Sequence, residues 1–333
     1  MLSLEEINKQ LHLANSIPYH IIAHIHQEKW LQIWVPKEYN GLGVSFANGL
    51  KTLKQLACTD GSLGWMITLC AGANYFARNL KPHVAIELFK NESTCFGGSG
   101  MIGGTAEKIN NTYIINGFWK YATGAPHLSH FTLNATVTQN KQPLLDADGN
   151  EIIRSFIITK ADVEIIEDWK AMGMKATGTF SFKVDNILVT EDHSFSYNEF
   201  YTNNVLDKIP FRVFADLTLL VNYLGMADNF LDEAKKISAQ LDVSEIKNFI
   251  YQNEEKTDAF ATSIEDILQI EKEITTEQQL EIHIFGKDVV KQLAHQLLEI
   301  YFQLGIKASH SKEPINQIFR DFFTATQHAN FRS

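Results

Sequence analysis

The strongest constraint on this chain is a change of hydrophobic period that occurs twice. Up to about residue 90, apolar residues recur at helical steps. The stretch LKTLKQLACTDGSLGWMITLCAGANYFARNL holds two apolar runs parted by the turn-forming Asp60-Gly61-Ser62. From about Ser93 to Ser194 the period shortens to alternation, the signature of half-buried strands. After Pro210 the helical pattern returns, with Ile282, Val289, Leu293, Leu297, Ile300 and Leu304 forming the stripe of a bundle helix. The order predicts an N-terminal helical domain (1–92), a middle β domain (93–196) and a C-terminal helical bundle (197–333).

Local signals sharpen that outline. WVPKEYNGLGVS is a loop, punctuated by Pro36 and Asn40-Gly41. AEKINNTYIING predicts a hairpin, because Asn110-Asn111 tolerate the positive φ of a tight turn. DADGN is a second turn, leading into the apolar run Ile152 to Ile158, and FSFKVDNILV closes the β segment. With no helix between these strands, the pattern predicts an antiparallel barrel or sandwich. QLDVSEIKNFIYQNEEKTDAF is more polar, a connection with solvent-facing helix.

Bulk properties exclude several classes of function. A chain of 333 residues can bury a large core. The formal charge of -10 argues against a nucleic-acid partner, since phosphate binding needs a basic surface. Cys58, Cys70 and Cys95 are odd in number and lack a CxxC spacing, so neither a disulfide frame nor a zinc site is expected. His20, His24 and His26 form H-x-x-x-H-x-H without carboxylate or cysteine partners, and no metal constellation is expected there. The polar start MLSLEEINKQ and the lack of a long apolar run predict a soluble, cytoplasmic protein with no membrane span.

Four stretches carry candidate chemistry. CFGGSGMIGGTAEK has five glycines between Phe96 and Thr105, letting a backbone approach a flat or phosphorylated ligand at Gly98 and Ser99, or else simply linking two segments. It is neither a P-loop nor a nucleophile elbow. GFWKYATGA offers Trp119 and Tyr121 as stacking rings and Thr123-Gly124 as a hydroxyl at a strand end; the same residues are also good strand formers. DWKAMGMKATGTFSF offers Trp169, Met172 and the hydroxyl of Thr177. In FRDFFTATQHANF, a helix would put Asp321, Thr324 and His328 on one face, with Arg320 one step around. A histidine there is an acid–base candidate near neutral pH.

In this order the motifs resemble the acyl-CoA dehydrogenase superfamily over nearly the whole chain. VPKEYNGLG and LACTDGSLGW look like its N-terminal signatures, GFWKYATG like the strand whose hydroxyl meets the flavin, and MGMKATGTFSFKVDNILV like its closing β motif. The resemblance implies an acyl-CoA dehydrogenase-like fold with a flavin between the β domain and the bundle. The glycine-rich loop, W-x-[FY]-x-[ST]-G and R-D-x-x-T-A-x-x-H are similar to the two-component flavin-dependent monooxygenase branch. That branch takes reduced flavin from a separate reductase and uses oxygen on a small-molecule substrate. It implies that Thr123 meets the flavin ring edge near N5 and that His328 is the acid–base group. Gly98, Ser99, Trp119, Tyr121, Gly124, Trp169, Met172, Thr177 and Arg320 are then cofactor-binding candidates, and Trp65 and Trp169 wall the pocket.

Two departures matter. The N-terminal helical region is short, and the arginine and glutamine that hold an FAD pyrophosphate are not evident between Ala234 and Gln279. The cofactor is therefore FAD or FMN, supplied reduced, in a homotetramer as that family usually is. One alternative is dehydrogenation of an acyl thioester, for which Glu299 and Glu313 are the available bases. Another is a non-catalytic relative with a degenerate flavin site.

Overall fold

The computed structural model describes residues 2–332. Five helices open the chain: α1 (Leu4–Leu11), α2 (Tyr19–Gln27), α3 (Phe46–Thr59), α4 (Gly61–Asn74) and α5 (Pro82–Phe89). Asp60 explains why α3 and α4 are separate helices. It ends α3, with its N–H donating to Leu56 O, and starts α4, its carboxylate accepting from the Leu63 N–H at 2.9 Å. Helix α4 is apolar nearly all round and lies buried at the centre of the molecule, as such a helix must.

Eight strands follow: β1 (Phe96–Ile109), β2 (Thr112–Ala122), β3 (His130–Gln139), β4 (Gln142–Pro143), β5 (Ile153–Thr159), β6 (Glu164–Ile166), β7 (Phe180–Thr190) and β8 (Ser194–Phe195). They make one sheet of order β6-β7-β2-β1-β3-β5-β8, with β4 pairing β3. The predicted two-residue hairpin is present: Ile109 faces Thr112, and Asn110 takes φ 55°. The sheet differs from the antiparallel expectation at its middle, where β1 and β3 run parallel. The short 3-10 turn Ala125–His127 lies in the link between β2 and β3, which returns the chain to the far side of β1.

The bundle comprises α6 (Phe211–Ile237), α7 (Ser244–Gln269), α8 (Thr276–Phe302), α9 (Pro314–Ala325) and the short α10 (Ala329–Arg332). The polar QLDVSEIKNFIYQNEEKTDAF stretch lies mostly within α7. Helix α6 packs against α3, α4, α8 and α9. The Asn74 amide fastens α4 to the sheet: its Oδ1 accepts from the Phe96 N–H at 2.8 Å, while its Nδ2 donates to Leu31 O at 2.9 Å. Asn222 on α6 donates to Thr68 Oγ1 on α4. These clamps fix one face of β1 against two helices, and the space left between them is the site.

Candidate active site

A cavity of about 250 Å³ lies between the sheet and the two central helices. Gly97, Gly98, Ser99 and Gly100 of β1 form one wall with Thr123 and Thr132. Thr68 and Gly72 of α4 and Phe214 and Thr218 of α6 form the other. Phe76, Tyr197 and Phe211 add a cluster of rings 4.8–5.3 Å apart, and His328 and Asn330 border the same space. No lysine, arginine, aspartate or glutamate among the described residues lines it.

Glycine at position 98 follows from backbone crowding. A Cβ there would sit 1.8 Å from Thr132 O, where β1 bulges against β3. At Gly100 an added Cβ would meet nothing within 4 Å, so the strand leaves room for a flat group to lie against bare backbone.

A second bulge presents Thr123. The pairing of β2 with β7 shifts register between Trp119 and Ala122, and Tyr121 takes φ 70°. That single left-handed residue puts the Tyr121 ring into solvent and turns both Ala122 and Thr123 inward. Gly124 (φ 78°) then leaves the strand, its N–H donating to Thr177 O at 2.8 Å.

Hydrogen counting along the threonines fixes what Thr123 offers the cavity. Thr177 Oγ1 lies 2.7 Å from Met174 O, and a carbonyl only accepts, so the Thr177 hydroxyl donates. Its contact with Thr179 Oγ1 at 2.7 Å then takes the Thr179 hydrogen. The 3.0 Å contact of Thr179 with Thr123 takes the Thr123 hydrogen in turn. Thr123 thus faces the cavity with lone pairs alone. It is an acceptor.

His328 is neutral and oriented. Burial pushes its pKa below the usual histidine value. Its Nδ1 accepts from the Asn330 N–H at 3.3 Å, which places the ring proton on Nε2. Trp65 supports the ring edge-on at a centroid distance of 5.4 Å.

The structure therefore gathers Gly98, Ser99, Thr123 and His328 at the cavity and places the other candidates elsewhere. Trp119 is buried in the sheet core, stacked on Phe182 at 5.4 Å with Nε1 donating to Asn134 O at 2.9 Å; the strand pleat points it away from the cavity. Tyr121 and Met172 are solvent-exposed. Trp169 donates to Met174 O at 2.8 Å and packs with the bundle core without lining the cavity; Trp65 stands behind His328. Thr177 acts through Thr179, and Gly124 shapes the turn. Arg320 donates to Met172 O at 2.7 Å and to Asn316 Oδ1 at 3.0 Å, outside the cavity.

His328 also departs from the helical face expected for it. Helix α9 stops at Ala325, and the His328 N–H donates back to Ala325 O at 2.9 Å, so His328 lies in the turn beyond. Asp321 and Thr324 do share a face, but they brace the Met172–Met174 loop: Met174 N–H donates to Asp321 Oδ1, and Gly173 N–H donates to Thr324 Oγ1 at 3.0 Å. Glu299 and Glu313 are not among the cavity-lining residues. Sequence reasoning passed over Thr218 and the α6 ring Phe214, which stand in no motif and meet the β strands only through the fold, and it gave no role to Asn330, two residues beyond His328 in FRDFFTATQHANF.

Comparison of the whole structure settles the architecture. HsaA monooxygenase from M. tuberculosis superposes with TM-score 0.87 at 17% identity, covering 98% of this chain and 91% of that one. This is the acyl-CoA dehydrogenase-like fold. XiaF from Streptomyces sp., solved in complex with FADH2 and glycerol, shares the fold at TM-score 0.86 and 18% identity, covering 98% of this chain and 88% of that one. By sequence, indole-3-acetate monooxygenase of Pseudomonas putida is 25% identical over 232 residues, which is 69% of this chain. The oxygenase subunit HsaA of Mycobacterium tuberculosis is 23% identical over 202 residues, or 58% of it. The chain spans 57% and 50% of the lengths of those two relatives. No family model matches the chain.

Proposed function

We propose that this protein is the oxygenase component of a two-component flavin-dependent monooxygenase. It takes reduced FMN or FAD from a separate reductase and inserts one oxygen atom of O2 into a small organic substrate. The observation that carries the reading is the acceptor-only Thr123 hydroxyl beside bare β1 backbone. A reduced flavin ring carries an N–H at N5, whereas the oxidised ring has a lone pair there. An acceptor fits the reduced form. Relatives named as flavin-dependent monooxygenases, and XiaF with FADH2, support the same choice.

Bound reduced flavin supplies the electrons that activate O2, with the second oxygen atom leaving as water. The chain's own residues bind, orient and handle protons. Gly98 and Gly100 let the ring approach the strand, and Thr123 fixes its edge. His328, neutral with its proton on Nε2, donates to an oxygen atom in the cavity and takes a proton back from the substrate. Phe76, Phe211, Phe214 and Tyr197 keep bulk water out. The rival dehydrogenase reading needs a carboxylate base at the substrate, and none among the described residues lines the cavity.

Anaerobic titration with reduced FMN, followed by mixing with 18O2 and indole as a probe, tests the reading. The expected results are an altered reoxidation rate and a product carrying one labelled oxygen. Reoxidation indistinguishable from that of free flavin throughout the titration overturns it. Among the described residues no helix is long and apolar enough to cross a membrane. The homotetramer is part of the proposal, supported by exposed Leu280, Ile284, Phe302 and Ile306 along and just beyond α8. Light scattering of the purified protein decides it.

A further inference from the structure

His328 sits in a turn between α9 and α10, with no helix of its own to hold it. Contacts outside the cavity fix that turn, and each of them reaches α6 or α8. Tyr223 Oη on α6 donates to Ala325 O at 2.7 Å and closes the end of α9. Beyond His328, Asn330 Nδ2 donates to Asp216 Oδ1 on α6 at 2.7 Å, and His283 Nδ1 on α8 lies 3.1 Å from the same oxygen. Phe331 then fills a slot on α8. Its ring lies 6.0 Å from that of His283 at an interplanar angle of 29°, and a Cβ at Gly286, one turn along, would come within 2.7 Å of it. The Asn330 clipped in this way is the residue whose N–H donates to His328 Nδ1 at 3.3 Å.

Stability of the core does not account for Asp216. It is 1% exposed, and its other oxygen, Oδ2, has no hydrogen-bond partner among the described residues. A buried carboxyl with an oxygen left empty costs stability that an apolar side chain would not. Resting on the oxygenase reading, we propose that Asp216 is a positioning residue for His328. Asp216 Oδ1 clips Asn330, and with it the turn between α9 and α10, so that the Asn330 N–H holds the His328 ring in one tautomer and one orientation. Asp216 is not itself among the cavity-lining residues. The clip needs an accepting oxygen rather than a charge: an amide oxygen at position 216 serves, and a methyl group does not. Released from the clip, the turn frays as chain ends do, and His328 meets the cavity correctly for only part of the time.

The test compares the parent with Asp216→Asn, Asp216→Ala and Gly286→Ala by two readouts. The first is amide hydrogen exchange of the free protein, without flavin or substrate. Asp216→Ala is expected to speed exchange across 326–332 about tenfold, as loss of one hydrogen bond does, while the middles of α6 and α8 keep parental protection. The second is turnover with reduced FMN and indole, where kcat falls about tenfold and KM stays within about twofold. Asp216→Asn stays within about threefold of the parent in both. Gly286→Ala pushes Phe331 off α8 while raising helix propensity, so the turn exchanges faster in a protein that melts no lower. Parental exchange at 326–332 in Asp216→Ala overturns the proposal, as does faster exchange there with unchanged kcat. An Asp216→Asn variant as impaired as Asp216→Ala overturns it too, because the charge would then be what matters. Should Asp216→Ala fail to fold, Gly286→Ala decides by the same two readouts. A parent protein that forms no oxygenated product overturns the oxygenase reading instead, and the flavin-free exchange data separate the two failures.

Discussion

Thr179 stands 3.0 Å from Thr123 and consumes the one hydrogen that Thr123 has to give. Replacing Thr179 with Val removes that acceptor at nearly constant volume and returns the Thr123 hydrogen to the cavity. Thr123 can then donate to the lone pair of an oxidised flavin. The ratio of dissociation constants for oxidised over reduced FMN is expected to fall about tenfold, one neutral hydrogen bond's worth. For a two-electron couple this lowers the midpoint potential of the bound flavin by about 30 mV. Spectroelectrochemistry of the parent and Thr179→Val reads the shift directly, and an unchanged potential would show that the threonine relay does not set the preference.

His328 is expected to separate chemistry from binding. Its ring borders the cavity but is held by Trp65 and by the Asn330 N–H, so its loss leaves the β1 wall intact. His328→Ala should lower product formation by about 100-fold or more, the usual scale of general acid–base catalysis, with reduced-FMN affinity changed less than about threefold. Burial lowers the His328 pKa, so the neutral ring persists to more acidic pH than a free histidine would allow. The acid limb of the parent's pH profile should then fall below about 6.5 and disappear in the variant. A parent whose activity is lost on acidification above that value contradicts the assignment.

The sequence made the layer order legible because hydrophobic period is a local property. The hairpin at Asn110-Asn111 and the break at Asp60 were legible for the same reason. Thr123 could be singled out as a hydroxyl ending an aromatic strand. Its neighbours could not be sorted, because the bulge at Tyr121 inverts which faces Trp119, Tyr121 and Thr123 present, and a strand read as regular alternation hides it. Asp216, His283 and Asn330 meet from α6, α8 and α10, and nothing in the spacing of three separate helices announces such a contact.

Asp60 and Asp321 give the fold a pH dependence of defined sign. Burial raises both pKa values, and the two carboxyls disfavour each other's ionisation, Asp60 reaching about 7. A carboxyl whose folded pKa is raised stabilises the fold while protonated, and that contribution is lost as pH rises through the folded value. Stability should therefore fall between about pH 4 and pH 7 by an amount on the order of a few kcal/mol. Asp60→Asn keeps an oxygen to cap Leu63 but cannot ionise, so the slope should flatten. Urea melts at pH 5 and pH 8 on both proteins make the comparison, and parallel slopes would contradict it.

Trp119 is the residue for which the core and the cofactor make opposite predictions. A ring stacked on a flavin would control flavin affinity; a ring stacked on Phe182 controls stability. Trp119→Phe preserves much of the stack but removes the Nε1–H, leaving Asn134 O without that 2.9 Å bond. An orphaned buried carbonyl costs about 1–3 kcal/mol, and the smaller ring adds a cavity term of similar sign. The urea midpoint should drop accordingly while the dissociation constant for reduced FMN stays within about twofold. A variant with parental stability and weakened flavin binding would put Trp119 back at the cofactor and would require a different pairing of β2 with β7.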